Sequence, residues 1–314
     1  MKNEVMIKLK RFKGNPILKP IKGHAWEKYV YNPGAILLED RIHIIYRAFS
    51  KDRVSRFGYA STKDGFKIDE RLSEPIFNPE GEFEEPAVKY GNSGVEDPRV
   101  VRIGNRIYLT YAAFNGCASY IALASIDVRD FLNKKWKWKR HGILFPNCDG
   151  RDGILFPEKI KDKFVLYPRF KPNIFVSYSK DLKNWSQPKV IMKPRKGKWD
   201  DFRIGAGPPP IKTEIGWLFI YHGVQAVRNG RIYRVGLALI DSENPEKILW
   251  RCEKPILEPL KKYERIGKEN NVVFPCGAVV KDDELFVYYG GADSVVCVAT
   301  ANLSKILKEI SSQL

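Results

Sequence analysis

The chain has 314 residues, of which 44% are hydrophobic, and its 54 Lys and Arg against 37 Asp and Glu give a formal net charge of +17. This composition excludes a disordered chain, because it supplies ample apolar material for a core. No apolar run approaches the ~20 residues of a membrane-spanning helix and the N-terminal segment lacks the apolar stretch of a signal peptide, so we expect a cytoplasmic protein without a membrane partner.

One sequence phrase recurs five times along the chain: a proline or glycine turn, an apolar run, a short polar turn and an alternating strand that ends in tyrosine. The copies span residues 33–46, 98–111, 157–167, 210–221 and 275–288. Each copy predicts a β-hairpin, because two strand-like runs flank a short turn. The closing tyrosines are 54 to 67 residues apart, a period typical of one four-stranded propeller blade with loop insertions.

A second phrase follows each hairpin and predicts a third strand with a turn into a fourth. It begins at Ser55, Ser119, Asn173, Tyr233 and Ser294. Because both phrases recur in the same order, the sequence predicts an all-β fold, a five-bladed β-propeller. A repeat fold closes as one unit and no Pro/Gly/Ser linker divides the chain, so we expect a single domain over residues 1–314.

The tail after the last strand has apolar residues at helical spacing between Leu303 and Ile310. This spacing predicts a short amphipathic C-terminal helix, which packs beneath the propeller or at a subunit contact.

Cysteine and histidine spacing gives no sign of a metal site. The five cysteines form no C-x-x-C pair and the four histidines no H-x-x-x-H spacing. An odd number of cysteines fits reduced, mostly buried thiols better than a disulfide framework. We therefore expect no structural zinc, no other metal and no cofactor.

The positive charge is consistent with a nucleic-acid partner, an anionic small substrate or a solvated surface. Basic residues are scattered over the whole chain, which favours the solvated surface of a heat-adapted protein rich in ion pairs. Only residues 133–140, NKKWKWKR, resemble a basic patch, and there Trp136 and Trp138 alternate as in an edge strand of the second blade. We expect no nucleic-acid partner.

The inner strands of a propeller converge on a central channel, so polar residues beside them are site candidates. Asp97 precedes the proline that begins an inner strand, in NSGVEDPRV. Burial in a channel would raise the pKa of this carboxyl, whereas the adjacent Arg99 would lower it. Asp97 is a candidate general acid, and the alternative is an aspartate that only caps the turn before Pro98.

A second group of side chains, near the ends of strands in the third and fourth blades, is suited to an anion. Its members are Arg151, Arg169, His222 and Tyr233. Guanidinium forks match oxyanions bidentately, so together these groups would form a compact anion site. The GAGPPP stretch at 205–210 lacks the lysine and hydroxyl of a phosphate loop, and we assign no phosphate binding to it. No Ser-His-Asp or Cys-His arrangement indicates a protein nucleophile.

Seven separated motifs resemble, in this order, those of glycoside hydrolase family 130, the β-mannoside phosphorylases and related mannosidases. They are SGVEDPRV, DGILFPEKI, YPR, GAGPPP, YHG, YRVG and YYGGAD. The resemblance covers nearly the whole chain, from Asn32 to Asp293. It implies a five-bladed propeller that cleaves a β-mannosidic bond with phosphate and inversion, releasing α-mannose 1-phosphate and a shortened sugar.

The resemblance also implies roles for individual residues. Asp97 would be the general acid and would protonate the glycosidic oxygen through the 3-hydroxyl of the mannosyl unit. The residues implied to hold phosphate are Arg151, Arg169, His222 and Tyr233. The residues implied to bind the mannosyl ring are Asn32, Arg47, Arg56 and Asp293.

The chemistry of these residues favours phosphorolysis over hydrolysis. An inverting hydrolase needs a second carboxylate, ~6.5 to 9.5 Å from the acid, to activate water. Inorganic phosphate, the expected co-substrate, is already anionic and needs cations that align it. The alternatives are a hydrolase of the same fold and a propeller that only binds carbohydrate. The linkage (β-1,2 or β-1,4), the acceptor sugar and assembly into a homo-oligomer stay open.

Overall fold

The structure is a computed structural model that describes residues 7–89 and 91–314. The protein is nearly all β, with 50% strand and 6% helix, which confirms the all-β class. Its strands form consecutive antiparallel meanders, in which most strands pair with the next along the chain, and a short parallel pairing of residues 54–55 with 93–94 joins the first two meanders in one sheet. The antiparallel arrangement follows from the short polar turns of the sequence, which can join only antiparallel neighbours.

The strands and helices of the first three meanders follow one another along the chain. A short strand, β1 (Lys10–Arg11), comes first. The first meander contains β2 (Tyr29–Leu38), β3 (Arg41–Phe49), β4 (Val54–Thr62) and β5 (Glu70–Arg71). The second contains β6 (Ser93–Ile103), β7 (Arg106–Phe114), β8 (Ser119–Asp127), helix α1 (Val128–Leu132) and β9 (Lys139–Ile143). The third contains β10 (Arg151–Leu155), β11 (Phe164–Phe170), β12 (Asn173–Ser179) and β13 (Lys189–Met192).

Two more meanders complete the described part of the chain. The fourth contains β14 (Arg203–Ala206), β15 (Ile211–Thr213), β16 (Gly216–Val227), β17 (Gly230–Ile240) and β18 (Ile248–Arg251). Helix α2 (Lys262–Arg265) leads to the fifth, which contains β19 (Val273–Lys281), β20 (Glu284–Gly291) and β21 (Val295–Asn302). Helix α3 (Leu303–Ser311) follows.

The N-terminal strand supplies the outer strand of the fifth meander. In β1, Lys10 pairs with Thr300 and Arg11 with Ala299 of β21, in antiparallel register. The Arg11 guanidinium also donates from Nε to Oε1 of Glu264, over 2.7 Å. The two ends of the chain are therefore joined in one sheet.

The tyrosine that closes each hairpin phrase is buried, and its hydroxyl donates to an acceptor on a connecting loop. The five donor and acceptor pairs are Tyr46 to Glu27, Tyr111 to Glu84, Tyr167 to the Pro245 carbonyl, Tyr221 to Asp200, and Tyr288 to the Gly65 carbonyl. A buried phenol needs such a partner, because an unpaired hydroxyl inside the core is costly. The repeated tyrosines therefore fasten the outer loops to the sheets.

The predicted C-terminal helix is confirmed as α3. Its N-cap Asn302 accepts a hydrogen bond from the Lys305 N–H over 3.0 Å, which satisfies one free donor of the first turn. Ile306 and Ile310 are buried in a core shared with the third, fourth and fifth meanders. The helix therefore packs against the sheets.

The edge strand predicted at 133–140 begins later in the chain than expected. The outer strand of the second meander, β9, begins only at Lys139, and Trp136 and Trp138 lie before it in irregular backbone. The rings of both tryptophans pack edge-on against Phe131 of α1. Their alternation in sequence reflects contact with this helix and not strand pairing.

All five cysteines are free thiols, and Cys252, Cys276 and Cys297 are buried. Among the described residues, no helix has the length and apolar character needed to span a membrane.

Candidate active site

The first strands of three meanders share one local distortion. In β2, β6 and β10 the pairing register with the next strand shifts around Asn32, Asp97 and Asp152, which marks a β-bulge in each. These residues have φ of 48°, 53° and 53°, the left-handed region that Asn and Asp tolerate better than most residues. Bulges re-aim side chains and are frequent beside active sites. All three side chains line the same cavity.

This cavity has a volume of about 320 Å³, within the range of small-molecule sites. Residues of all five meanders contribute to its wall. The lining residues are Asn32, Arg47, Asp97, Arg151, Asp152, Arg169, Lys171, Arg203, His222, Arg231, Tyr233, Glu269, Val272, Phe274 and Asp293. Eight of the nine site residues predicted from the sequence are among them.

Arg56 is the predicted site residue that the structure places elsewhere. In β4 it pairs with Ala48, whereas Arg47 pairs with the next residue, Phe57. Successive residues of a strand point to opposite faces, so Arg56 and Arg47 do not share a face. The Arg56 guanidinium instead donates from Nη2 to Asp52 Oδ2, over 2.8 Å, in the turn that leads into β4.

Asp97 lies at an end of the cavity rich in polar groups. Its Oδ1 accepts hydrogen bonds from Asn32 Nδ2 over 2.8 Å and from Arg47 Nη1 over 3.1 Å. Burial alone would raise the pKa of Asp97, but the charges of Arg47, Arg99 and Arg151 together hold it below its ordinary value. Asp97 is therefore ionised near neutral pH with these partners.

Glu96, the neighbour of Asp97, connects the two parts of the site. It is buried, and its two oxygens accept from different arginines: Oε1 from Arg47 Nη2, and Oε2 from Arg151 Nη1 over 2.5 Å. Glu96 therefore fixes the spacing between an arginine beside Asp97 and an arginine of the predicted anion site.

Asp293 shows the opposite electrostatic behaviour to Asp97. Burial raises the pKa of the Asp293 carboxyl to about 6, although Arg47 and Lys268 act to lower it. Lys268 lies over the rings of Tyr31 and Phe49. The polar end of the cavity thus holds two carboxyls of different acidity around a volume lined by hydrogen-bonding groups.

The other end of the cavity is dominated by cations. Arg169 is 5% exposed, and its Nε forms an ion pair with Asp152 Oδ2 over 2.5 Å, without the alignment of a hydrogen bond. Its Nη1 is buried and has no hydrogen-bond partner among the described residues. A buried guanidinium N–H without an acceptor is costly, so this edge of Arg169 is suited to an oxyanion.

His222 and Tyr233 lie beside this arginine. Burial lowers the pKa of His222 to about 3, so its imidazole is neutral. The imidazole packs on the Phe274 ring, with 4.5 Å between centroids, and its Nδ1 has no hydrogen-bond partner among the described residues. The Tyr233 hydroxyl accepts a hydrogen bond from Arg203 Nη2. Arg151, Arg169 and Arg203 thus surround one end of the cavity together with two polar rings.

Sequence reasoning missed several residues of the wall. They are Asp152, Lys171, Arg203, Arg231, Glu269, Val272 and Phe274. Two of them carried a usable signal. Arg203 stands two residues before Gly205, which pairs with His222, so alternation along β14 puts Arg203 on the same face as that pair. Asp152 occupies the same bulge position as Asp97, which an alignment of the repeats would have shown.

The chain belongs to glycoside hydrolase family 130. The model of this family, described as beta-1,4-mannooligosaccharide phosphorylase, matches residues 8–312. The resemblance found in the sequence motifs is therefore confirmed over nearly the whole chain.

Curated relatives from Thermoanaerobacter sp. (strain X514) match the chain along most of its length. A 1,2-beta-oligomannan phosphorylase is 40% identical over 96% of this chain and 99% of its own length. A beta-1,2-mannobiose phosphorylase is 39% identical over the same shares. A solved structure reported for glycoside hydrolases of the same family, which target beta-1,2 mannosidic linkages in Candida mannan, is 26% identical, with a TM-score of 0.86 over 97% of this chain and 96% of its own.

Proposed function

We propose that this protein is an inverting β-mannoside phosphorylase. It cleaves the β-mannosidic bond of mannobiose or a mannooligosaccharide with inorganic phosphate, and releases α-mannose 1-phosphate and a shortened sugar. Relatives at 40% and 39% identity that are named as phosphorylases of β-1,2-linked mannosides support this activity.

The observation that carries the proposal is the buried, unpartnered Nη1 of Arg169 in a wall that also holds Arg151 and Arg203. Three arginines around one small volume repel one another, and an anion between them removes this repulsion. Phosphate offers several acceptor oxygens to such forks. As the nucleophile it needs alignment and not deprotonation by a strong base.

The carboxyls of the cavity fit hydrolysis less well. Asp152 is the carboxyl that lies among the cations, where Arg169 and Arg99 outweigh the effect of burial and hold its pKa well below the ordinary range. Such a carboxylate is a weak base for a water molecule. Asp293 belongs to the end of the cavity that contains Asp97 and Arg47. Glu269, the remaining carboxyl of the wall, lies near Asp293 and acts to raise its pKa, so it belongs to the same end. Among these carboxyls, only Asp152 lies at the cationic end, and it is a weak base.

Each end of the cavity takes one part of the reaction. Asp97 donates the proton to the leaving group. Phosphate binds to Arg151, Arg169, Arg203, His222 and Tyr233. The mannosyl ring binds to Asn32, Arg47 and Asp293. The charge of Arg151 lowers the pKa of Asp97. A bound phosphate would offset this charge and so would help Asp97 hold the proton that it donates.

We further propose that the five meanders are the blades of a five-bladed propeller and that the chain is one domain. Glycines allow the first strands of neighbouring meanders to approach closely. A Cβ on Gly34 of β2 would lie 2.7 Å from the Pro98 oxygen of β6, and one on Gly277 of β19 would lie 2.7 Å from the Pro33 oxygen of β2. The pairing of β1 with β21 supports closure of such a ring.

The β-1,2 linkage is the proposed substrate linkage. Relatives at 40% and 39% identity are named for β-1,2-linked substrates, although the family description names β-1,4. The charged product, a sugar phosphate, does not cross a lipid bilayer unaided, which fits the proposed cytoplasmic location.

The test is sugar release from β-1,2-mannobiose and β-1,4-mannobiose by the purified protein, with and without inorganic phosphate. The proposal predicts release only when phosphate is present, and faster release from the β-1,2 isomer. Equal release in both tubes would show a hydrolase, and binding of either disaccharide without turnover would show a carbohydrate-binding protein.

A further inference from the structure

Asp152 is a carboxylate in the cavity wall for which the proposed reaction has no chemical step. It is 2% exposed, and its two oxygens face different basic groups. Oδ1 accepts from Arg99 Nη2 over 2.9 Å. Oδ2 lies 2.5 Å from Arg169 Nε and 3.7 Å from His222 Nε2. Two of these three partners belong to the proposed phosphate site.

The backbone around Asp152 is shaped to hold it in this place. Asp152 has a φ of 53° and stands at the bulge of β10. On its other side, Gly205 leaves the room that the side chains need: a Cβ there would lie 2.6 Å from Asp152 Oδ2 and 2.3 Å from His222 Cε1. A side chain at position 205 would therefore displace both groups.

Arg99 anchors Asp152 and does not line the cavity. It is 1% exposed and also donates from Nε to the Gly207 carbonyl over 2.9 Å and from Nη1 to the Asp97 carbonyl over 2.8 Å. Asp152 is thus held on one side by a guanidinium that is fixed to the backbone. Its other oxygen, Oδ2, faces Arg169 and His222, which line the cavity.

The contact with Arg169 determines which edge of that guanidinium faces the cavity. Asp152 takes the Nε edge, and Nη1 is left buried without a partner in the described structure. His222 lies on the other side of Asp152, with its Nε2 3.7 Å from Asp152 Oδ2, and its Nδ1 is buried without a partner in the described structure. Asp152 therefore holds two residues of the cavity wall in place, and one of them, Arg169, keeps an unpartnered N–H.

We propose that Asp152 is a positioning residue for inorganic phosphate: it orients the guanidinium of Arg169 towards the phosphate oxygens and holds His222 beside it, and it takes no part in proton transfer. This inference rests on the proposed function. It predicts that loss of the Asp152 charge weakens phosphate binding and leaves the mannoside site intact.

The test compares Asp152→Asn with a matched control, Asp200→Asn. Asp200 is also fully buried and pairs with two arginines, Arg195 over 3.0 Å and Arg251 over 2.5 Å, but it lies outside the cavity wall. Both variants remove one charge from a buried carboxylate between arginines. A general loss of stability would therefore affect the two alike.

The first readout is calorimetric titration with inorganic phosphate, which needs no turnover, and the second is the pair of KM values for phosphate and for β-1,2-mannobiose. We expect Asp152→Asn to weaken phosphate binding at least about tenfold and to change the mannobiose KM less than threefold. Asp200→Asn should change neither. If Asp152→Asn does not fold, Gly205→Ala should give the same selective loss through displacement of Asp152 and His222.

Two results would overturn the assignment. In the first, Asp152→Asn, or Gly205→Ala in its place, binds phosphate as tightly as the wild type. In the second, the variant loses affinity for phosphate and for mannobiose equally. Failure of the proposed function would differ from both, because the wild-type protein would then release sugar equally without phosphate. The phosphate titration still decides the role of Asp152 in that case, since wild-type protein that binds no phosphate also overturns it.

Discussion

Asn32 donates a hydrogen bond of 2.8 Å from Nδ2 to Oδ1 of Asp97, across 65 positions of sequence. Each residue stands at the bulge of the first strand of its meander, with φ of 48° and 53°. The same oxygen of Asp97 also accepts from Arg47. The second oxygen, Oδ2, is therefore the one available to a sugar hydroxyl. The role of Asp97 as proton donor can be tested by substitution.

Asp97→Asn should lower kcat about 10²- to 10⁴-fold, the usual contribution of a general acid. The amide oxygen can still accept from Asn32, and the change in volume is small, so the fold and mannobiose binding should persist. Steady-state kinetics and calorimetric binding of β-1,2-mannobiose measure the two effects. A variant that keeps more than about a tenth of kcat would show that Asp97 is not the proton donor.

Asp293→Asn should stabilise the protein at neutral pH while it weakens activity. The pKa of Asp293 is about 6 in the folded state against an ordinary 3.8, so the folded state binds more protons between these values. The free energy of unfolding therefore falls as pH rises through this window, and an asparagine does not incur this loss.

The measurement for Asp293→Asn is thermal unfolding of the variant and the wild type between pH 4 and 8. The Tm of the variant minus that of the wild type should increase with pH up to about pH 7 and then stay constant. A difference that is independent of pH would contradict the burial argument for this carboxyl.

Arg169→Lys should raise KM for phosphate at least about tenfold, the equivalent of one charged hydrogen bond. A lysine keeps the charge but lacks the planar fork, whose separate nitrogens contact Asp152 and the ligand at different positions. Arg251→Lys is the matched control, because its guanidinium pairs with Asp200 outside the cavity wall. Equal effects of the two substitutions would show that Arg169 acts on stability alone.

Arg56→Met should leave both KM values within about twofold of wild type. The Arg56 guanidinium contacts Asp52 at a partly exposed turn, where an ion pair contributes little to stability. Initial rates over a range of mannobiose concentrations would suffice. A tenfold rise in the mannobiose KM would show that Arg56 binds the sugar, as the sequence resemblance implies.

The sequence predicted the repeating part of the fold well, because each repeat has its own local signals. The closing tyrosines, such as Tyr46 and Tyr111, lie in strands and are buried, although their strands continue three residues further, to Phe49 and Phe114. A place in the cavity wall could be predicted for a residue within a distinctive motif, such as Asp97. Arg56 was misplaced because a shift of one residue along a strand reverses its face, and the motif does not reveal that register.

Other site residues depend on contacts that sequence proximity does not show. Asp152 meets Arg99 and His222, which are 53 and 70 residues away. Arg203 is brought to Tyr233 by the pairing of β14, β16 and β17. Residue type alone cannot distinguish these arginines from the many basic residues on the surface of a chain with a net charge of +17.

Cleavage of β-1,2-mannobiose with ¹⁸O-labelled inorganic phosphate in ordinary water tests the central claim most directly, because it identifies the nucleophile. Mass spectrometry and NMR of the product should show α-mannose 1-phosphate with labelled oxygen in the C–O–P bridge. Free mannose that carries oxygen from water, with the phosphate unconsumed, would contradict the account.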